Sequence, residues 1–382
     1  MRIGLFVDSV STALSDGESY ITSGGIGVYA QELLSALLQE EDDNEYLLIR
    51  GRPASVPLIF HPRVKEVSPS RPLRFVNRTG LWREWVLRNE YIELLHELTP
   101  IAGTIRWHKY PLVLTVHDVI PLFYPELFTR LNTLAFKAFC RRNLEHADAV
   151  IAVSQNTNQD MQKFFPGTGN KTTVIPIAGQ TFHSIHPPDL HVLKEFNIHS
   201  PYILSVATIE PRKNHLALLD AYMLVRESGY DLKLVLIGPK GWKNDEIYHH
   251  DALNKYKQDI IFTGVIPPRL LEIFYRGALV FIYPSFYEGF GMPALEAAGA
   301  AIPVIVGRNS SLAEIMGDSA YYVGERPVGH EIADAVMDII DNQELKNKLC
   351  IMGKKQAARY SWQKTAQKTL EVYRQVARRG QK

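Results

Sequence analysis

Short apolar runs alternate with helix-like segments along this chain, stop, and then start again, and that pattern limits the available folds more than any other feature. In the first half, Ile3–Val7, Glu45–Ile49, Val113–His117 and Ala149–Val153 read as strands, with Val174–Pro176 as a last edge. Gly27–Gln39 and Arg130–Ala147 read as helices; Val28, Leu33, Leu34, Leu37 and Leu38 recur at roughly helical spacing. The pattern restarts at the strand Tyr202–Val206 and the helix Leu216–Ser228. The strands Lys233–Ile237, Ile260–Thr263, Val280–Tyr283, Pro303–Val306 and Ala320–Val323 follow, with helices over Pro268–Ala278, Ala294–Ala300 and Ile332–Asp341. Such alternation predicts parallel sheets covered by helices. Two starts predict two doubly wound domains, which suits 382 residues, more than one ordinary core holds. The predicted boundary lies near His183–Ser200, where Pro187-Pro188 interrupt a stretch without periodicity.

Composition narrows the function classes. Hydrophobic content of 46% and charged content of 22% describe a soluble globular chain. A net charge of +1 gives no global field to attract nucleic acid. Cys140 and Cys350 stand far apart and form neither a metal nor a disulfide pattern, so a reducing cytoplasm is the simplest setting. The apolar run after Met1 is too short for a signal peptide, and no run of about 18 apolar residues is present to span a membrane. Residues Ser70–Leu98 interleave Arg71, Arg74, Arg78, Arg83 and Arg88 with Phe75, Trp82, Trp85 and Tyr91. Two readings stay open there: an amphipathic helix with a packed aromatic face, or a surface touching anionic membrane.

Four segments carry the chemistry. Ser23-Gly24-Gly25-Ile26-Gly27 precedes the first long helix, and glycines at a helix N-terminus let free N–H groups approach a diphosphate. His117-Asp118 ends a buried strand, the edge where open α/β sheets bind ligands; the imidazole can bond a sugar hydroxyl and Asp118 can orient the ring. Glu210-Pro211-Arg212-Lys213-Asn214 follows a strand and places two cations before a helix, as a phosphate clamp would. Glu288-Gly289-Phe290-Gly291-Met292-Pro293-Ala294-Leu295-Glu296 is the densest of the four. Two carboxylates flank a glycine turn that opens a helix, so acceptors for sugar hydroxyls stand beside donors for phosphate. Each segment follows a strand C-terminus, so all four converge on one cleft if the two sheets face each other. The chain has no Asp-x-Asp triplet, P-loop or nucleophile elbow, and adjacent His249-His250-Asp251 lack convincing ligand spacing.

With these segments the chain resembles retaining glycosyltransferases of the GT-B fold, family 4, over nearly its whole length. The resemblance rests on the Gly-Gly-Ile-Gly loop, His117-Asp118-Val119-Ile120-Pro121, Glu210-Pro211-Arg212-Lys213-Asn214, Phe262-Thr263-Gly264-Val265, and Glu288 with Glu296 as a Glu-x7-Glu pair. The variants present are similar to those of bacterial polysaccharide mannosyltransferases. The resemblance implies two Rossmann-like domains facing a central cleft, over 1–185 and 186–361, with a C-terminal helix over 362–382 packing back on the first. It implies that Gly24 and Gly25 lend N–H groups to the donor diphosphate and that His117 touches the donor sugar near its 6-position. Lys213 binds the β-phosphate, Glu288 a 3- or 4-hydroxyl, and Glu296 the ribose. The backbone of Gly289, Phe290, Gly291 and Met292 cradles sugar and phosphate, and Val265 lies beside the base. Many members carry an arginine five residues before the lysine; here that position is Thr208, and Arg212 is expected to take over phosphate binding.

The implied reaction is front-face transfer with retention, without metal or cofactor and without a covalent intermediate, since no carboxylate stands as a β-face nucleophile. The favoured donor is GDP-mannose, and the acceptor is a saccharide or polyprenyl-linked saccharide in bacterial polysaccharide or O-antigen synthesis. Transfer is expected in the cytoplasm, at the inner face of the cell membrane. UDP-glucose or a dTDP-sugar is the alternative donor. A non-catalytic sugar-nucleotide or glycan-binding module is the alternative from another class, and a phosphorylase or epimerase a third.

Overall fold

The computed structural model describes residues 1–7, 12–15, 18–21, 24–51, 57–69, 81–100, 110–128, 130–180 and 190–380. The chain forms two compact units, Met1–Ile177 with Ser361–Lys382, and Ala178–Tyr360. The division therefore falls before the proline-containing stretch, of which residues 181–189 lie outside the described part.

The strands of the first unit are β1 (Arg2–Val7), β2 (Thr12–Ser15), β3 (Glu18–Ile21), β4 (Glu45–Arg50), β5 (Val64–Val67), β6 (Leu94–Glu97), β7 (Leu112–Val116), β8 (Ala149–Ala152) and β9 (Thr172–Val174). Seven of them make one parallel sheet in the order β5-β4-β1-β6-β7-β8-β9, while β2 and β3 pair as an antiparallel hairpin. Helices cover both faces of a parallel sheet, so its strands are apolar almost throughout: β4 buries Tyr46, Leu47, Leu48 and Ile49. On one face Leu47, Leu95, Leu114 and Val150 form a single cluster with Cys140, Leu144 and Met161.

The structure departs from the sequence expectations at several points. The helix expected at Gly27 begins at Gly24, and a helix over Gln155–Phe164 was not expected. Residues 70–98 hold a helix, Leu81–Asn89, and then the strand β6, next to β1 near the centre of the sheet. The polar pair His96-Glu97 hides this strand in the sequence, although both side chains are fully buried. Residues 70–80, which carry much of the basic aromatic pattern, lie outside the described part.

The strands of the second unit are β10 (Tyr202–Val206), β11 (Lys233–Ile237), β12 (Ile260–Gly264), β13 (Val280–Tyr283), β14 (Val304–Gly307) and β15 (Tyr321–Val323). They form a parallel sheet in the order β12-β11-β10-β13-β14-β15. Alternate residues feed opposite layers. Ile203, Leu234, Ile282 and Ile305 join the helices His215–Glu227 and Gly329–Asp341, whereas Leu204, Val235, Phe281 and Val304 join Pro268–Gly277 and Met292–Gly299. In both sheets the strand order reverses next to the first strand of the unit, at β1/β6 and at β10/β13. A doubly wound sheet binds ligands outside the strand C-termini at such a reversal. Among the described residues no helix is long and apolar enough to cross a membrane.

The C-terminal helix Trp362–Gly380 belongs to the first unit and buries Trp362, Ala366, Leu370, Tyr373 and Val376 on one stripe. Its large apolar side chains each contribute roughly 1.5–3 kcal/mol, so together they rival the 5–15 kcal/mol stability of a typical domain. Deleting residues 361–382 is expected to unfold the first unit while the second keeps its cooperative transition. Hydrogen exchange resolved by peptide tests this; full protection of β1 and β7 in the truncated chain would contradict it.

Candidate active site

Arg212 and Lys213 sit in a one-turn 3-10 segment, Pro211–Lys213, reached from the end of β10. Asn214 has φ 57°, in the left-handed region that asparagine tolerates, and its Nδ2 donates to Pro327 O at 2.8 Å. That reversal lets the helix His215–Glu227 start at once and leaves both cations at the strand edge. Glu288 arrives from β13, the strand across the reversal from β10. Its backbone is held on both sides. Glu288 N–H donates to Ser310 Oγ at 2.9 Å, and Ser311 Oγ donates to Glu288 O at 2.8 Å.

The side chains meet in a closed cluster. Lys213 Nζ donates to Glu288 Oε1 at 2.5 Å and to Tyr283 Oη at 2.6 Å, and lies 4.7 Å from the centre of the Tyr283 ring. Arg212 Nη1 lies 3.0 Å from Glu288 Oε2. Lys213 and Glu288 are each 7% exposed. Burial pushes the Glu288 carboxyl up, but the Arg212 and Lys213 cations outweigh it and hold the group at about 2. Burial, and then the Arg212 cation, pull Lys213 below its ordinary value against the pull of Glu288. A buried ion pair seldom adds stability over apolar packing, so such a cluster at a strand edge is a candidate functional site.

The segment between the two glutamates supplies donors. Gly291 has φ 98° and is the N-cap of the helix Met292–Gly299, with no side-chain cap and Pro293 as the second helical residue. Among the described residues the N–H groups of Phe290, Gly291 and Met292 meet no protein acceptor. Together with the positive end of the helix they suit an anionic ligand. Glu296 lies one turn further on. Its Oε1 accepts from Gln180 N–H at 3.0 Å and its Oε2 from Tyr275 Oη at 2.9 Å, and burial raises its pKa against those two bonds. Each oxygen keeps a lone pair for a further donor. Val265 follows Gly264 at the end of the edge strand β12 and is 38% exposed. His249 and His250 are used locally: His249 Nδ1 bonds Asp245 O, and His250 caps the helix Asp251–Lys255 and pairs with Asp220.

In the first unit, Gly24, with φ 42°, and Gly25 form the exposed first residues of the helix Gly24–Gln39. His117 stands just beyond β7, and its Nε2 lies 2.9 Å from Leu98 O. A carbonyl only accepts, so the bond assigns the ring proton to Nε2 and leaves Nδ1 as an acceptor. Burial keeps the ring neutral, with a pKa of about 4. Asp118 does not orient this ring as expected. Its Oδ1 accepts from Ile120 N–H at 3.2 Å, and the ring is held instead by Leu98 O and by Tyr29, edge-on at 4.7 Å. Tyr29 Oη lies 3.1 Å from Thr115 Oγ1, which lies 2.7 Å from His96 Nε2, and His96 Nδ1 lies 2.6 Å from Tyr373 Oη. The sequence reading missed Tyr283, Ser310, Ser311 and this buried line. Only their nearness to strand ends could have drawn attention to them.

Two family descriptions match the chain: Glycosyltransferase Family 4 over residues 23–178, and Glycosyl transferases group 1 over residues 192–356. The O-antigen chain mannosyltransferase B of Escherichia coli is 26% identical over 369 residues, covering 92% of this chain and 96% of that protein. A serotype-specific mannosyltransferase of Escherichia coli is 30% identical over 240 residues, 58% of this chain but only 29% of that protein. Among solved structures, sucrose-phosphate synthase from Thermosynechococcus elongatus aligns with a TM-score of 0.77 at 19% identity over 98% of each chain, a likeness of fold alone.

A Cβ at Gly291 would stand 2.6 Å from Leu312 Cδ2 on a positive-φ backbone, so Gly291→Ala is expected to displace the N–H cradle and weaken nucleotide binding at least tenfold. Calorimetric titration reads this, and unchanged affinity would contradict it. His96 and His117 have pKa values near 3 and 4, against 6.5 unfolded, because burial keeps both neutral. Between pH 6.5 and 4 only the unfolded chain takes up these protons, so stability falls as pH drops, by about 1.4 kcal/mol per pH unit for each histidine. Urea unfolding of the first unit across that window is expected to show a flatter slope for His96→Leu than for the wild type.

Proposed function

We propose that this chain, which belongs to family 4, group 1, of the glycosyltransferases and has the GT-B fold, transfers an α-mannosyl residue from GDP-mannose to a saccharide or polyprenyl-linked saccharide. The observation that carries the reading is Glu288: a carboxylate kept ionised by Arg212 and Lys213, beside the open N–H groups of Phe290, Gly291 and Met292. An ionised carboxylate accepts from sugar hydroxyls, and the neighbouring donors suit the diphosphate linked to that sugar. Mannose is favoured because the two Escherichia coli relatives described above are mannosyltransferases, one of them acting on O-antigen chains.

The chemistry follows from where charge develops. As the bond from C1 to the phosphate oxygen breaks, negative charge builds on the nucleoside diphosphate and positive charge on the sugar. Lys213 and the helix N-terminus stabilise the first. The acceptor hydroxyl attacks C1 on the face the leaving group vacates, and its proton passes to a diphosphate oxygen, so configuration is retained. His117 Nδ1 accepts a hydroxyl of the sugar, and Glu296 accepts from the ribose. The reaction belongs to polysaccharide synthesis on the cytoplasmic side of the cell membrane.

A panel of GDP-mannose, UDP-glucose and a dTDP-sugar, offered with methyl α-mannoside and with water as acceptors, tests the reading by product mass. Turnover of GDP-mannose is expected, and Glu288→Gln is expected to reduce it by about a hundredfold or more while the chain still unfolds cooperatively. Turnover of UDP-glucose in its place would overturn the donor assignment. Unchanged turnover in Glu288→Gln would overturn the site.

A further inference from the structure

The two cations after β10 are not equivalent. Arg212 Nε and Nη2 lie 2.9 and 2.8 Å from Glu210 Oε1, while Nη1 donates to Tyr287 O at 3.0 Å and reaches Glu288 Oε2 at 3.0 Å. Glu210 is itself only 2% exposed. The guanidinium is therefore gripped along one edge by a buried carboxylate and turned with its other end onto a second. Lys213 gives one N–H to Tyr283 and one to Glu288, and among the described residues its third meets no acceptor. The two cations and two carboxylates cancel, so an arriving diphosphate meets no surplus charge on the side chains. What it meets is one ammonium with a donor in reserve and one guanidinium whose fork is already engaged.

We infer that Arg212 is a positioning residue for Glu288 and not a phosphate ligand. Glu210 holds the guanidinium, the guanidinium fixes the Glu288 carboxylate, and Lys213 with the N–H groups of Phe290 to Met292 takes the diphosphate. This rests on the glycosyl-transfer reading and reverses the expectation that Arg212 replaces the arginine missing at Thr208. It also gives Glu210 a task, since a carboxylate facing the substrate phosphates would repel them, whereas one behind Arg212 steers the fork away from them.

The test uses the full chain with GDP and UDP as calorimetric probes and GDP-mannose and UDP-glucose as donors. Lys213→Ala is expected to weaken nucleoside diphosphate binding by about thirtyfold, the loss of a charged hydrogen bond, while Arg212→Gln and Glu210→Gln change it by less than about threefold. Both of the latter are expected to lower kcat, by about a hundredfold and tenfold respectively, with Arg212→Lys failing to restore it because a point charge cannot bridge both carboxylates. Arg212→Gln leaves two buried carboxylates short of a cation. Should it fail to fold, the double variant Glu210→Gln/Arg212→Gln removes the excess charge and carries the same expectation. Nucleotide binding weakened as much in the Arg212 variants as in Lys213→Ala, or a Glu210→Gln enzyme with wild-type kcat, would overturn the inference. A wild-type chain that binds neither nucleotide would overturn the glycosyl-transfer reading, and this inference with it.

Discussion

The second unit is organised around one interaction, the contact of Lys213 and Arg212 with the Glu288 carboxylate. Ionised groups this deeply buried are costly unless each has partners, and here each has them. Lys213 rests on Tyr283, Arg212 is backed by Glu210, and the Glu288 backbone is fixed by Ser310 and Ser311. These residues come from the ends of β10, β13 and β14. The cluster therefore depends on the sheet register, and the sheet in turn brings together charges that lie 75 residues apart in sequence.

The strand order explains why this happens at one place. Successive strands run outwards on one side of β10 and then restart on its other side at β13. The connections after β10 and β13 consequently diverge to opposite layers and leave a crevice at their C-terminal ends. The chain lines it with a 3-10 turn that carries Arg212 and Lys213 on one side and a glycine-capped helix with open N–H groups on the other. The first unit repeats the arrangement with β1 and β6, and there Leu98, just past β6, holds the His117 ring.

Much of this was legible in the sequence because it rests on local signals. The βα alternation gave all six strands of the second sheet and the first sheet without β5 and β6. The glycines around Phe290 and the acid pair eight residues apart pointed to the densest part of the site. What escaped notice depends on tertiary neighbours. β6 reads as Leu-Leu-His-Glu, and nothing local shows that His96 is satisfied by Thr115 and by Tyr373, a residue 277 positions away. The same holds for Arg212. In the sequence two adjacent cations look interchangeable, and only the fold shows one of them held by Glu210. Asp118 erred in the other direction, because sequence adjacency to His117 suggested a pairing that the strand-end geometry directs to Ile120 N–H instead.

In the proposed reaction this site moves a mannosyl group with its configuration kept. Proton and carbon NMR of the glycoside formed from GDP-mannose reads the new anomeric centre directly. An α-linked mannoside, absent when Glu288 is replaced by glutamine, is the expected result. A β-linked product, or GDP-mannose left intact while another nucleotide sugar is consumed, would contradict it.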